Sequence, residues 1–245
     1  MTAPFFHAET ELLRVGTVVL SGSEGRHAVS VRRLRVGEDV VLTDGDGAGA
    51  YGVVVGVEGK DRLTVEVTEV RVEAAPRPRI VVVQALPKGD RGEVAVETMT
   101  ETGVDVIVPW DAGRAITRWK GERGAKSLAK WRAGARGAAK QARRVRVPEV
   151  WDLASSKEVA SLLEGAAFAG VLHEEGAAAL ATAAVPSFGD VVLVVGPEGG
   201  VSPDELALFA GVGAGVFRLG PTVLRTSTAG VAACALLLSR TPRWS

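Results

Sequence analysis

The chain has 245 residues, 47% of them hydrophobic and 24% charged, which is enough apolar material for a real core and excludes an intrinsically disordered polymer. Its 29 basic and 29 acidic residues cancel, and the single cysteine, Cys234, excludes an internal disulfide and suits a reducing, cytoplasmic setting. The first ten residues lack a basic segment followed by an apolar one, and no apolar run reaches the roughly 18 residues of a membrane span, so neither a secretion signal nor membrane insertion is expected.

Residues 15–20, 39–43, 51–57 and 63–70 are rich in β-branched residues and bounded by turn formers, the pattern of short strands. Residues 44–49 read as a hairpin loop between two of them. Its opening Asp44-Gly-Asp-Gly47 is like a calcium loop, but the twelfth position is Val55 where such a loop needs Glu. One helix is expected near residues 25–34, ahead of Gly37. Four or five strands with one helix make a small β-barrel, which we place at residues 1–72. Residues 73–79, with Pro76 and Pro78, form a linker.

A different texture begins at residue 80 and runs to 245. Residues 80–85 are continuously apolar, like a strand buried on both faces. A helix over 91–102 ends at Gly103, a natural C-cap. Strands are expected at 104–109, 168–173, 191–195 and 215–219, and a long basic helix at 126–143. This alternation predicts an α/β domain with a largely parallel sheet. Charge is segregated as well: residues 114–146 hold twelve Lys or Arg against one acid, Glu122, leaving the rest of the chain equally acidic. That asymmetry fits a polyanionic partner, or a solvated basic helix. Trp119 and Trp131 lie in this segment, placed either to stack on bases or to pack beneath the helix.

In open parallel sheets, ligands bind beyond the carboxyl ends of the strands. Three such ends carry unusual sequence: Leu172-His-Glu-Glu175, Gly196-Pro-Glu-Gly-Gly200, and the stretch from Leu219 to Gly230. After the second, Ser202 is a good N-cap, Pro203 fits the first helical position, and Glu205 completes a capping box. Gly196, Gly199 and Gly200 allow close approach of backbone to a ligand, or simply make a tight turn. No Gly-Lys-Ser/Thr follows, so this is not a P-loop. In the third segment, one of Thr226, Ser227 and Thr228 is expected to cap an apolar helix that buries Cys234; Arg225 in apolar surroundings has no such explanation.

Here the residues carry a resemblance. Gly196-Pro-Glu-Gly-Gly200 with Ser202-x-x-Glu205, followed by Leu219-Gly-x-x-Val-Leu-Arg-Thr226, resembles the RsmE family, 16S ribosomal RNA uridine-N3 methyltransferases of the SPOUT superfamily. His27-x-x-x-Val-Arg-Arg-Leu-Arg-Val-Gly37, Lys88-x-Asp90 with Glu101-x-Gly-Val104, and Gln141-x-x-Arg144 leading to Val147-Pro-Glu149 are similar to other segments of that family.

The resemblance implies a PUA-like N-terminal barrel, a C-terminal trefoil-knot methyltransferase domain and a homodimer; topology rules alone would reject the knot. It implies S-adenosylmethionine as cofactor, held by Leu172, His173, Gly196, Gly199, Gly200, Leu219, Gly220, Leu224 and Thr226. It implies 16S ribosomal RNA of the small subunit as partner, with Arg32, Arg33, Arg35, Lys88, Arg114, Lys140, Gln141, Arg143 and Arg144 as candidate contacts. Two positions depart from the family pattern, which usually has Glu where this chain has Ser227 and Lys140. Uracil N3 becomes nucleophilic only on losing its proton, so a guanidinium would stabilise the developing anion; Arg225 is the candidate. Glu198 is a candidate proton acceptor, or a tie for its loop. His7, His27 and His173 show no metal-ligand spacing, and no metal is expected. Ribose 2′-O methylation and a non-catalytic ribosome assembly factor are the rival readings.

Overall fold

The computed structural model describes residues 3–244. They form two compact units: residues up to Ala75 together with Ala139–Val147, and Pro76–Ala138 together with the residues from Pro148 on.

The first unit is a five-stranded barrel-like sheet. Its strands are β1 (Phe5–His7), β2 (Gly16–Leu20), β3 (Asp39–Thr43), β4 (Ala48–Glu58) and β5 (Arg62–Val72), in the order β1-β3-β4-β5-β2. Period-two alternation sends Val18, Leu20, Val40, Leu42, Val54, Leu63, Val65 and Val67 into one core with Phe6 and Ala28. The turn between β3 and β4 is fixed by Asp44, whose Oδ1 accepts from the amides of Asp46 (2.7 Å) and Ala48 (3.2 Å). That accounts for the Asp-Gly run without any calcium. The helical path starts three residues earlier than the pattern predicts and ends three residues earlier. Helix α1 (Gly22–Arg26) widens into a π-helical turn over His27–Val31, and the helical path ends where Arg33 takes φ +56°. The excursion 139–147 is stitched to the barrel by Thr43 Oγ1 donating to Val145 O and Val147 N donating to Gly45 O. Sequence reading placed this stretch at the end of a helix and saw no reason for it to leave the larger unit.

The second unit is a seven-stranded, wholly parallel sheet. Its strands are β6 (Arg79–Ala85), β7 (Val106–Trp110), β8 (Glu149–Val150), β9 (Phe168–Leu172), β10 (Ala178–Ala179), β11 (Asp190–Val195) and β12 (Gly215–Arg218), in the order β10-β12-β9-β11-β6-β7-β8. Strands β6 and β11 sit centrally, and their apolar runs are buried on both faces. Val81, Val83, Ala85, Val192 and Val194 join one core with Trp110 and Phe209. On that side lie α4 (Ser156–Glu164) and α5 (Pro203–Gly211). Helices α2 (Arg91–Thr102) and α6 (Thr226–Leu238) pack on each other, with α6 against β6 and β11. Gly103 closes α2 at φ +112°, its amide donating to Met99 O and Thr100 O. The basic helix α3 (Gly121–Gln141) starts five residues earlier than its charge pattern indicates. Trp131 is 4% exposed and meets Trp119 edge-to-face, so both indoles pack beneath this helix.

After β12, near one edge of the sheet, the chain returns inward as α6 to lie over the centre.

Candidate active site

Because the strands of the second unit are all parallel, their carboxyl ends share one edge. There the ends of β9, β11 and β12 and the first turns of α2 and α6 enclose a cleft of about 300 Å³. Its walls include Leu172, His173, Gly196, Glu198, Gly200, Leu219, Gly220, Leu224, Arg225 and Thr226. Ten of the eleven residues expected to bind cofactor or act in catalysis therefore converge. Gly199 is the exception. It faces Arg114 instead: a Cβ there would stand 3.2 Å from Arg114 O, and Arg114 Nη1 donates to Gly199 O at 3.3 Å. Sequence reading missed Arg91 and Arg218 among the walls, since each comes from an unremarkable stretch, and it did not single out Glu174 and Val223 within the strand ends it had marked.

The three glycines of the second strand end are set by the chain itself. Gly200 has φ +72°, a conformation that disfavours side chains, and a Cβ on Gly196 would meet Val201 Cγ2 at 2.9 Å. Close approach to a ligand is not what makes them necessary. Gly220 differs: its backbone is not left-handed and a Cβ there would meet nothing within 4 Å.

The helix after this turn begins as its sequence predicts. Ser202 caps α5, with Pro203 at its first position, and Glu205 Oε2 accepts in return from Ser202 N at 3.0 Å. Glu205 does more than cap. Only 6% exposed, it also accepts from Gly113 N at 2.7 Å and Ser156 Oγ at 2.9 Å, binding the loop after β7 and the start of α4 to the start of α5. Burial by itself would raise its pKa, but the donors from Gly113, Ser202 and Ser156 prevail and hold it below the usual carboxylate value. The same signature, Ser155 with Glu158, starts α4 and went unread.

The third strand end departs from expectation. Arg225 occupies the N-cap position of α6, and no hydroxyl caps the helix. Thr226 Oγ1 donates instead to Gly196 O at 3.1 Å, tying the third strand end to the second. The peptide carbonyl of Thr226 accepts from Gln84 Nε2 at 3.4 Å. Ser227 is buried, so its hydroxyl lies in the core.

Three guanidiniums and two carboxylates line the cleft. Arg218 donates to Gly176 O and Ala177 O, and Arg91 lies 3.7 Å from Glu198. Glu198 also accepts from Lys88 N at 3.2 Å, so it fastens the loop after β6 to the loop after β11. Arg225 is exposed and makes no side-chain hydrogen bond or ion pair among the described residues. His173 Nδ1 accepts from Glu175 N at 3.1 Å, which leaves Nε2 as the donor of the neutral ring. Among the described residues no group of three or more His, Cys, Asp or Glu converges on one point.

Of the expected RNA contacts, Arg32, Arg33, Arg35, Gln141 and Arg143 are exposed on the first unit, and Arg144 is partly buried there. Lys140 is not open to a ligand in the same way. Its Nζ sits 2.9 Å from both Glu24 oxygens and from His27 Nδ1. Burial and this ammonium lower the His27 pKa, with Glu24 opposing. Lys88 and Arg114 are exposed on the second unit.

The chain matches a family model for an RNA methyltransferase domain over residues 74–238 and one for an RNA methyltransferase PUA domain over residues 20–68. It is 42% identical to ribosomal RNA small subunit methyltransferase E of Mycobacterium bovis, across 100% of this chain and 94% of that protein. The Bacillus subtilis protein of the same name is 28% identical over 87% of this chain and 86% of its own. Among solved structures, ribosomal RNA small subunit methyltransferase E from Neisseria gonorrhoeae, bound to S-adenosyl methionine, superposes with a TM-score of 0.85 at 30% identity, covering 98% of both chains. A methyltransferase from Legionella pneumophila in complex with the bound cofactor SAM gives 0.85 at 28% identity, over 98% of this chain and 99% of that one.

Proposed function

Since the chain belongs to the ribosomal RNA small subunit methyltransferase E family, we propose that it transfers a methyl group from S-adenosylmethionine to N3 of one uridine in 16S ribosomal RNA of the small subunit. The observation that carries the reading is the cleft at the carboxyl ends of β9, β11 and β12, with Arg225 open at its wall. The residues present fit the cofactor. Backbone of three strand ends offers donors and acceptors, Leu172, Leu219, Val223 and Leu224 offer apolar wall, and Gly220 leaves open space. When bound, S-adenosylmethionine supplies an electrophilic methyl group on a sulfonium.

The chain's own part is to position and to balance charge. Thr226 ties the third strand end to the second through Gly196 O, and Gln84 of β6 holds the Thr226 carbonyl. Arg225 faces the negative charge that develops on a uracil as its N3 proton passes to solvent and N3 takes up the methyl group. Glu198, already engaged by Lys88 N and Arg91, acts as a tie between loops more readily than as a proton acceptor. The first unit and the basic segment are the proposed RNA-binding parts, and the cytoplasm the proposed location.

The product tests the reading. The protein and S-adenosylmethionine are incubated with small ribosomal subunits from a strain lacking the gene. Digestion should yield 3-methyluridine, and reverse transcriptase should stop at one uridine, because N3 lies on the pairing edge. Recovery of 2′-O-methyluridine would overturn the base assignment, and no incorporation would leave an assembly factor.

We propose also that the protein is a homodimer. Helix α6 is apolar all round, and Val231, Ala232, Ala235 and Leu236 form a half-buried stripe at i, i+4 spacing. Light scattering should give twice the chain mass at micromolar concentration; a monomer mass refutes it.

A further inference from the structure

Between β7 and α3 the chain runs from Asp111 to Lys120 without helix or strand, yet the loop is fastened along most of its length. Asp111 N donates to Ala154 O at 3.0 Å, and Gly113 N donates to the buried Glu205 carboxylate at 2.7 Å. Arg114 Nη1 donates to Gly199 O, Ala115 is buried in the core, and Thr117 Oγ1 donates to Pro87 O at 2.8 Å. Arg118 folds back onto Ala112 O and Gly113 O, and Trp119 meets Trp131 edge-to-face. Amid these anchors stands Ile116, 75% exposed.

The anchors on either side of Ile116 fix its place. Arg114 ends on Gly199, between the cleft residues Glu198 and Gly200. Thr117 ends on Pro87, next to Lys88, whose amide donates to Glu198 at 3.2 Å. Ile116 is therefore held beside the loop that walls the cleft, where the loops after β6, β7 and β11 are tied together.

A single exposed apolar side chain is ordinary on a protein surface. Two features set this one apart. A β-branched side chain on a loop pinned at both sides has little freedom to lose on binding. Its surroundings are also cationic. Lys88, Arg114 and Lys120 are exposed and form no ion pair among the described residues, while the loop's one acid, Asp111, is paired with Arg118. A fixed apolar group flanked by unpaired cations suits a polymer that carries flat, apolar-faced rings on a phosphate chain.

We infer that Ile116 packs against the face of an RNA base at the mouth of the cleft. The inference rests on the ribosomal RNA reading above. N3 lies on the pairing edge, so a uridine must leave its stack to bring that atom into a cleft, and an apolar side chain can fill the gap between bases that it opens. The contact is with a base, whereas the surrounding cations can meet only phosphate. An apolar contact releases no counterions, so its loss should weaken binding without changing the salt dependence.

The test uses full-length protein with Ile116→Ser and Ile116→Leu. The probes are small ribosomal subunits from a strain lacking the gene, titrated at several salt concentrations, together with S-adenosylmethionine and heparin, a polyanion without bases. Ile116→Ser should bind subunits about five- to twentyfold more weakly, the scale of losing one buried aliphatic side chain. Its log–log salt slope, heparin affinity, cofactor affinity, melting temperature and mass by light scattering should match wild type. Ile116→Leu should restore most of the subunit affinity. Wild-type subunit affinity in Ile116→Ser would overturn the inference. An equal loss of heparin affinity would do so as well, because the contact would then not be with a base. A lower melting temperature would make the side chain part of the fold, and a changed mass would assign it to a contact between copies of the chain; either refutes the inference. Wild-type protein that binds cofactor but not subunits would sink the RNA reading first, and the inference with it.

Discussion

Gly220→Val will abolish S-adenosylmethionine binding in a protein that remains folded. Gly220 lines the cleft, its backbone is not left-handed, and a Cβ there meets nothing within 4 Å. A branched side chain is thus accepted by the fold and projects into space proposed for the cofactor. The other glycines are poorer choices. Valine at Gly200 strains a backbone at φ +72°, and valine at Gly196 collides with Val201. Loss of binding at those positions would report the fold as much as the ligand. Isothermal titration of Gly220→Val should show affinity reduced at least about a hundredfold, equivalent to roughly 3 kcal/mol. Its melting temperature should match wild type. Unchanged affinity would remove the cofactor from this cleft.

Arg225→Ala will slow methyl transfer by about a hundred- to a thousandfold, the scale of losing one preorganised charge-stabilising group. The other two guanidiniums of the cleft are engaged, Arg218 by Gly176 O and Ala177 O and Arg91 by Glu198. Arg225 alone of the three is open to a developing anion. Single-turnover methylation of small subunits at saturating cofactor measures the step itself, and titration measures cofactor affinity separately. Cofactor binding should stay within a few-fold of wild type, with Arg225→Lys intermediate in rate. An undiminished rate would remove Arg225 from the chemistry. A loss of cofactor affinity equal to the loss of rate would make it a binding group.

Much of the site was legible because its signals are local. Ser202, Pro203 and Glu205 announce the start of α5 through hydrogen bonds that span three residues. Likewise the continuous valine runs of β6 and β11 announce strands covered on both faces. The same logic located the ends of β9, β11 and β12, where ten of the eleven expected cofactor and catalytic residues meet. Strand β1, helix α4 and the two-residue strands β8 and β10 escaped notice. The strands are short enough that periodicity cannot distinguish them, whereas the Ser155–Glu158 capping box of α4 was available to be read.

What sequence alone determined is the local grammar of this protein: a barrel of short alternating strands, a parallel sheet of buried ones, capped helices, and a basic segment between them. Those features depend on neighbours within a few residues, and on whether a face meets water. What only the tertiary structure decided depends on partners far away in the chain. Glu205 is a capping residue in sequence and, in space, the junction of three elements through Gly113 and Ser156. Thr226 reads as a cap yet binds Gly196. Lys140 reads as one more cation of a basic helix, but its ammonium is taken up by Glu24, more than a hundred residues earlier. Hydrogen bonds and ion pairs act over about 3 Å in space, with no regard to separation along the chain, and only the folded chain shows which donors and acceptors come that close.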